Sequence, residues 1–113
     1  MNTNALPLNE FRQLLSAAML TITSPRQRAF LESKLIEPYQ QELRWEYGHD
    51  EQYAAWVFAD LGERDVVAQY CLGGFGSLGS PWGINFRSAN HFGQDSGWYG
   101  SLEDLVVDWG VGP

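Results

Sequence analysis

Residues Tyr53 to Leu72 read YAAWVFADLGERDVVAQYCL, and this stretch decides the fold. YAAWVFADL (Tyr53 to Leu61) is apolar at consecutive positions, so both of its faces seek burial. A run of that length suits a central strand of a sheet covered on both sides. GERD (Gly62 to Asp65) is polar and glycine-led, a turn. VVAQYCL (Val66 to Leu72) is a second β-branched, aromatic run, so the two runs pair as a hairpin. Downstream, WGINF (Trp82 to Phe86) alternates large with small or polar residues and reads as a third strand.

Upstream the period changes. Leu8, Phe11, Leu15, Ala18 or Met19, and Ile22 recur every three or four residues, one face of a helix. TSPRQ then stops that helix and starts another. Ser24 is placed to cap, Pro25 suits the first helical position, and Gln27 completes a capping box. The second helix buries Phe30, Leu31 and Leu35. Pro38 should kink or restart it, and the four-residue spacing of Tyr39, Leu43 and Tyr47 predicts helical continuation to a C-cap at Gly48. After the third strand, RSANHFGQDSG reads as polar loop. SLEDLVVDW (Ser101 to Trp109) reads as a short helix capped by Ser101, with Glu103 and Asp104 in its first turn.

The expected architecture is therefore α+β: N-terminal helices on a small antiparallel, meander-like sheet, followed by a short C-terminal helix. The 113 residues suit one domain. Its expected parts are a helical part over 1–48, the sheet over 53–88, and a loop with the final helix over 89–113. The N-terminus has no basic stretch followed by an apolar one and no run approaches membrane-spanning length, so the expectation is a cytoplasmic protein without membrane contact. The single cysteine, Cys71, excludes an internal disulfide and fits a reducing compartment.

Composition narrows the function classes. Five Trp, five Tyr and six Phe exceed what one small core readily buries, which predicts an aromatic patch at an interface. Charge is uneven: residues 1–45 hold four acids and five bases, whereas residues 46–113 hold ten acids and only Arg64 and Arg87 as bases. The net charge of −7 thus resides in the second part. Direct nucleic-acid binding needs clustered Lys and Arg and is not expected. Such an acidic field either keeps a protein soluble or steers a cationic partner.

Several chemistries fail on their residue requirements. CLGGFGSLGSPWGINF (Cys71 to Phe86) invites a phosphate-loop reading, but it has no lysine and leads into a strand rather than a helix. Its glycines then serve tight turns, with Phe75 and Trp82 as flanking anchors. A Cys71–His91 nucleophile pair is disfavoured because Cys71 lies in an apolar run. His49-Asp50-Glu51 and His91…Asp95 lack a recognisable ligand spacing, so no metal or other cofactor is expected. Asp60, Glu63, Asp65, Asp95, Glu103 and Asp108 are carboxylates that nothing in the sequence pairs for acid–base work.

The runs AAWVFADLGERDVVAQYCLGGFGSLGSPWGINF and GQDSGWYGSLEDLV, within about residues 54 to 106, resemble small bacterial immunity proteins. Those are the cytoplasmic antidotes to polymorphic toxins, including contact-dependent growth-inhibition toxins. The resemblance implies a non-enzymatic role: blocking one toxin domain, often a nuclease. It carries no catalytic motif, so the contact set comes from the residues themselves. That set is Asp60, Glu63, Asp65, Trp82, Asp95, Trp98 and Tyr99, acids and aromatics suited to a basic partner. A different expectation is a small-molecule-binding or hydrolytic domain using His91 and Asp95 beside the glycine-rich loop. A third is a structural subunit whose aromatic patch is a homodimer face, so the chain would be a monomer or a weak homodimer.

Overall fold

The computed structural model describes residues 5–48, 51–62, 65–93 and 96–109. Its helices are α1 (Leu8–Leu20), α2 (Pro25–Lys34) and α3 (Leu102–Asp108). Its strands are β1 (Leu35–Trp45), β2 (Gln52–Asp60), β3 (Val66–Cys71), β4 (Trp82–Phe86), β5 (His91–Phe92) and β6 (Gly97–Tyr99). The α+β class and the hairpin of β2 and β3 agree with the sequence. The two read helix starts also form as expected: Ser24 Oγ accepts the Gln27 N–H at 3.3 Å, and Ser101 Oγ accepts the Asp104 N–H at 3.1 Å.

The expected helical part over 1–48 needs correction: it ends at Lys34, and Leu35–Trp45 is a strand. Two physical reasons account for this. A helix running through Pro38 would drive the proline ring into the carbonyl of residue 34 and would force Glu37 out of its preferred extended region. And a four-residue spacing is also a multiple of two, so Tyr39 and Leu43 lie on one side of a strand as readily as on one side of a helix. Tertiary pairing then decides: β1 runs antiparallel to β2 from Leu35↔Ala59 to Arg44↔Gln52, and a register shift between Leu35 and Tyr39 absorbs Pro38.

The sheet order is β5-β1-β2-β3-β4-β6. β2 to β4 form the expected meander and β1 extends it by an unexpected strand, but the sheet is not purely antiparallel. RSANHFGQDSG, expected as loop, supplies β5, which pairs parallel to β1 through Arg44↔His91 and Trp45↔Phe92. β6 pairs antiparallel with β4 on the opposite edge. The segment expected as loop plus helix over 89–113 therefore also contains two short strands.

This order forces curvature. Flat, six strands would put the outer edges about 24 Å apart. Yet Phe92 of β5 and Gly97 of β6 are five residues apart in the chain, a reach of at most about 18 Å. The sheet accordingly curls into a half-barrel, with residues 87–93 as a strap at its mouth. Gln41 Nε2 donates to Ala89 O, the Arg44 N–H donates to Asn90 O at 2.8 Å, and Asn85 Nδ2 donates to His91 O at 3.1 Å.

Each side of the sheet carries its own core. On the convex side Phe11, Leu15, Met19, Ile22 and Leu31 pack with Leu102, Leu105 and Val106 onto Trp56, Phe58, Ala68, Tyr70 and Trp82. On the concave side Leu43, Ala55, Cys71 and Phe92 are buried, with Trp45, Tyr53, Phe75 and Trp98 around them. This explains why β2 reads apolar at successive positions and why every residue of β3 is buried.

Candidate binding surface

The expected contact residues fall into three groups. Asp60 closes β2, and Asp65 sits in the turn before β3 with a left-handed φ of 60°. Arg87 joins them: its guanidinium bonds Asp60 Oδ2 and lies 3.5 Å from Asp65 Oδ1. Asp60 Oδ1 accepts the Gly62 N–H at 2.9 Å, and Asp65 O accepts the Arg87 N–H at 2.7 Å. These are solvent-exposed pairs, so they orient the loop more than they stabilise it. Glu63 and Asp95 lie outside the described residues.

The aromatic members separate. Trp82 is 5% exposed and packs against Tyr70 at 4.6 Å and Phe58 at 5.6 Å between ring centres. It is a core residue of the convex side. Trp98 and Tyr99 are consecutive on a strand and so face opposite ways. Trp98 joins the concave core, 5.3 Å from Phe92, and its Nε1 donates to Ser96 Oγ at 2.8 Å. Tyr99 packs on the convex side, where its hydroxyl donates to Asp108 Oδ2. Burial first, then that bond and the charge of Asp108, push the Tyr99 hydroxyl up to about 12.

Of the residues of the other readings, Cys71 and His91 have definite places, whereas His49, Asp50 and Asp95 lie outside the described residues. Cys71 is buried, and burial pushes its thiol up to about 11 against a smaller opposing pull from the Gly73 backbone. A thiol held there is protonated and unreactive at neutral pH. His91 Nε2 lies 3.5 Å from Glu46 Oε1, and Nδ1 lies 3.4 Å from Asn90 Oδ1. The cavity beside His91, lined also by Asn85, Phe92 and Ser96, has a volume of about 70 Å³. That is room for waters rather than for a substrate. The glycine-rich stretch forms a short 3-10 turn, Gly74–Leu78, not a helix N-terminus aimed at a ligand. Among the described residues no three His, Cys, Asp or Glu side chains converge as metal ligands, and no helix is long and apolar enough to cross a membrane.

The concavity that sequence reasoning did not find lies between β4, β6 and α3. The β4–β6 pairing ends at Ile84↔Gly97, so the last residues of β4 run past it. A cleft of about 340 Å³ opens there, lined by Val66, Ile84, Asn85, Phe86, Gly97, Tyr99, Asp108 and Trp109. Phe86 is 44% exposed although it is a large apolar side chain. Asp108 stands in the last turn of α3, a turn without a basic residue. An anion at that helix end meets the like-signed end of the helix dipole, so helix stability does not account for it. Val66 and Phe86, which face each other across β3 and β4, adjoin Asp65 and Arg87 in the chain. The Asp60–Arg87–Asp65 group therefore stands at the same end of the sheet as the cleft without forming part of its lining.

No protein-family model matches this chain, and neither a curated protein nor a solved structure matches it.

Proposed function

We propose that this protein is an inhibitory binding protein, the antidote to a cognate toxin domain with a basic active-site surface, such as a nuclease. It acts without catalysis, by covering that surface. One observation carries the reading: a cleft lined by exposed Phe86 and half-buried Tyr99 and Trp109 also holds Asp108, and the Asp60–Asp65 pair lies at the same end of the sheet, on the more acidic half of the chain. An aromatic cleft with a carboxylate in its wall and further acids nearby suits a Lys- and Arg-rich surface. The contact set is accordingly Asp60, Asp65, Phe86, Tyr99, Asp108 and Trp109. Trp98 acts behind it by holding the strap.

The test is co-expression with the toxin domain encoded beside this chain's gene. Growth should be restored, and the purified pair should form a complex. Its association should slow at least tenfold between low and high salt, because opposite charges steer the encounter. Continued killing together with no complex would refute the proposal.

A further inference from the structure

We propose that the cleft between β4, β6 and α3 takes the side chain of one arginine from the protein partner, with its guanidinium among Phe86, Tyr99 and Trp109 and its charge met by Asp108. This deepens the functional reading above and rests on it for the partner, while the site can be tested without any partner.

The chemistry of the walls selects the occupant. Three aromatic side chains line the cleft; aromatic rings attract a flat cation, and guanidinium both stacks on rings and bonds carboxylate through two N–H groups. Tyr99 donates its hydroxyl to Asp108 Oδ2, which holds that carboxylate at the cleft wall while the second oxygen remains on the same group. Tyr99 is in this sense a positioning residue as well as a wall. The cleft is at the small end of ligand sites, sized for a side chain and not for a cofactor. Charge complementarity points the same way, because among the described residues the lining holds the Asp108 carboxylate and no basic residue. An apolar occupant would leave Asp108 at the α3 end without a counter-ion.

The experiment titrates the full chain with N-acetyl-arginine methylamide, following Trp109 and Tyr99 by NMR. The lysine and norleucine amides serve as comparisons. Saturable shifts at Trp109 and Tyr99 in the millimolar range are expected, with the arginine amide binding at least threefold tighter than the lysine amide. Asp108→Asn should weaken it at least fivefold, whereas Asp104→Asn, an exposed acid at the other end of α3, should leave it within twofold. No shift at the cleft, equal shifts from the norleucine amide, or equal affinity in Asp108→Asn would each overturn the proposal. A complex with the toxin domain that Asp108→Asn leaves unchanged would overturn it while sparing the antidote role. Arginine capture without any toxin complex would do the reverse.

Discussion

Replacing Gly83 by alanine puts the curl of the sheet to a numerical test. Gly83 pairs with Trp98 across β4 and β6, and the indole lies over it. A Cβ at residue 83 would stand 2.6 Å from Cε3 and Cζ3 and 2.7 Å from Cδ2 of that ring. Carbon contacts are comfortable at about 3.5–4.0 Å, so the ring must retreat by about 1 Å. The ring is held from behind by Phe92, centre to centre at 5.3 Å, by Phe75 at 6.2 Å, and by the Nε1 bond to Ser96 at 2.8 Å. Glycine to alanine in a strand would by itself gain about 0.5–1 kcal/mol. Overpacking costs about 1–3 kcal/mol, and the disturbed aromatic pairs add about 0.5–1.5 kcal/mol each. The expected net loss is about 2 kcal/mol. With a urea slope of about 2 kcal/mol per molar, the unfolding midpoint should fall by about 1 M. In a Trp98→Ala background the same substitution has nothing to strike. There it should be neutral or stabilising by about 0.5–1 kcal/mol. Gly79→Ala is the contrast: no atom lies within 4 Å of its Cβ, but its φ is +100°, so its cost of about 1–2 kcal/mol should not depend on Trp98. A Gly83→Ala protein as stable as the parent, or equally destabilised without Trp98, would refute the packing of β6 described above.

Two further predictions concern the interior. Because the Cys71 thiol ionises at about 11 when folded, against 9.0 ordinarily, the folded state holds a proton that the unfolded state releases between those values. Stability is therefore intact below pH 9 and declines as pH rises toward 11, by up to about 3 kcal/mol, a decline that Cys71→Ala should remove from the pH series of urea midpoints. Asn85 is 4% exposed and donates to His91 O of the strap and to Gln69 Oε1. Asn85→Ala should cost about 1–3 kcal/mol by orphaning those acceptors. It should also speed hydrogen exchange at the Arg44 amide, which donates to Asn90 O. Unchanged exchange there would mean that Asn85 does not anchor the strap.

The resemblance to immunity proteins rests on strand and loop motifs of the sheet half, and those motifs have structural work to do. Trp56 and Phe58 of WVFADL line the convex core. The glycines of GFG and PWG admit neighbours that a side chain would displace: a Cβ at Gly76 would meet the Cys71 carbonyl oxygen at 2.0 Å, and one at Gly83 would meet Trp98. Trp98 of DSGWY closes the concave side. Of the surface proposed for binding, Asp60, Asp65, Phe86 and Tyr99 fall within the resembling runs, whereas Asp108 and Trp109 lie beyond them.

What the sequence determined by itself is local. The starts of α2 and α3 depend on a serine and an amide three residues on, and both were legible. So was the hairpin of β2 and β3, whose two apolar runs and polar turn lie within twenty consecutive residues. Tertiary structure decided the rest, for reasons of distance along the chain. Leu35, Tyr39 and Leu43 satisfy helix and strand spacing alike, and only pairing with β2 resolves them. β5 and β6 are two and three residues long, too short for any period, and exist because β1 and β4 offer edges. The cleft joins Phe86 to Asp108 and Trp109 across more than twenty residues of sequence. No spacing rule connects them; the curl of the sheet and the seat of α3 bring them together.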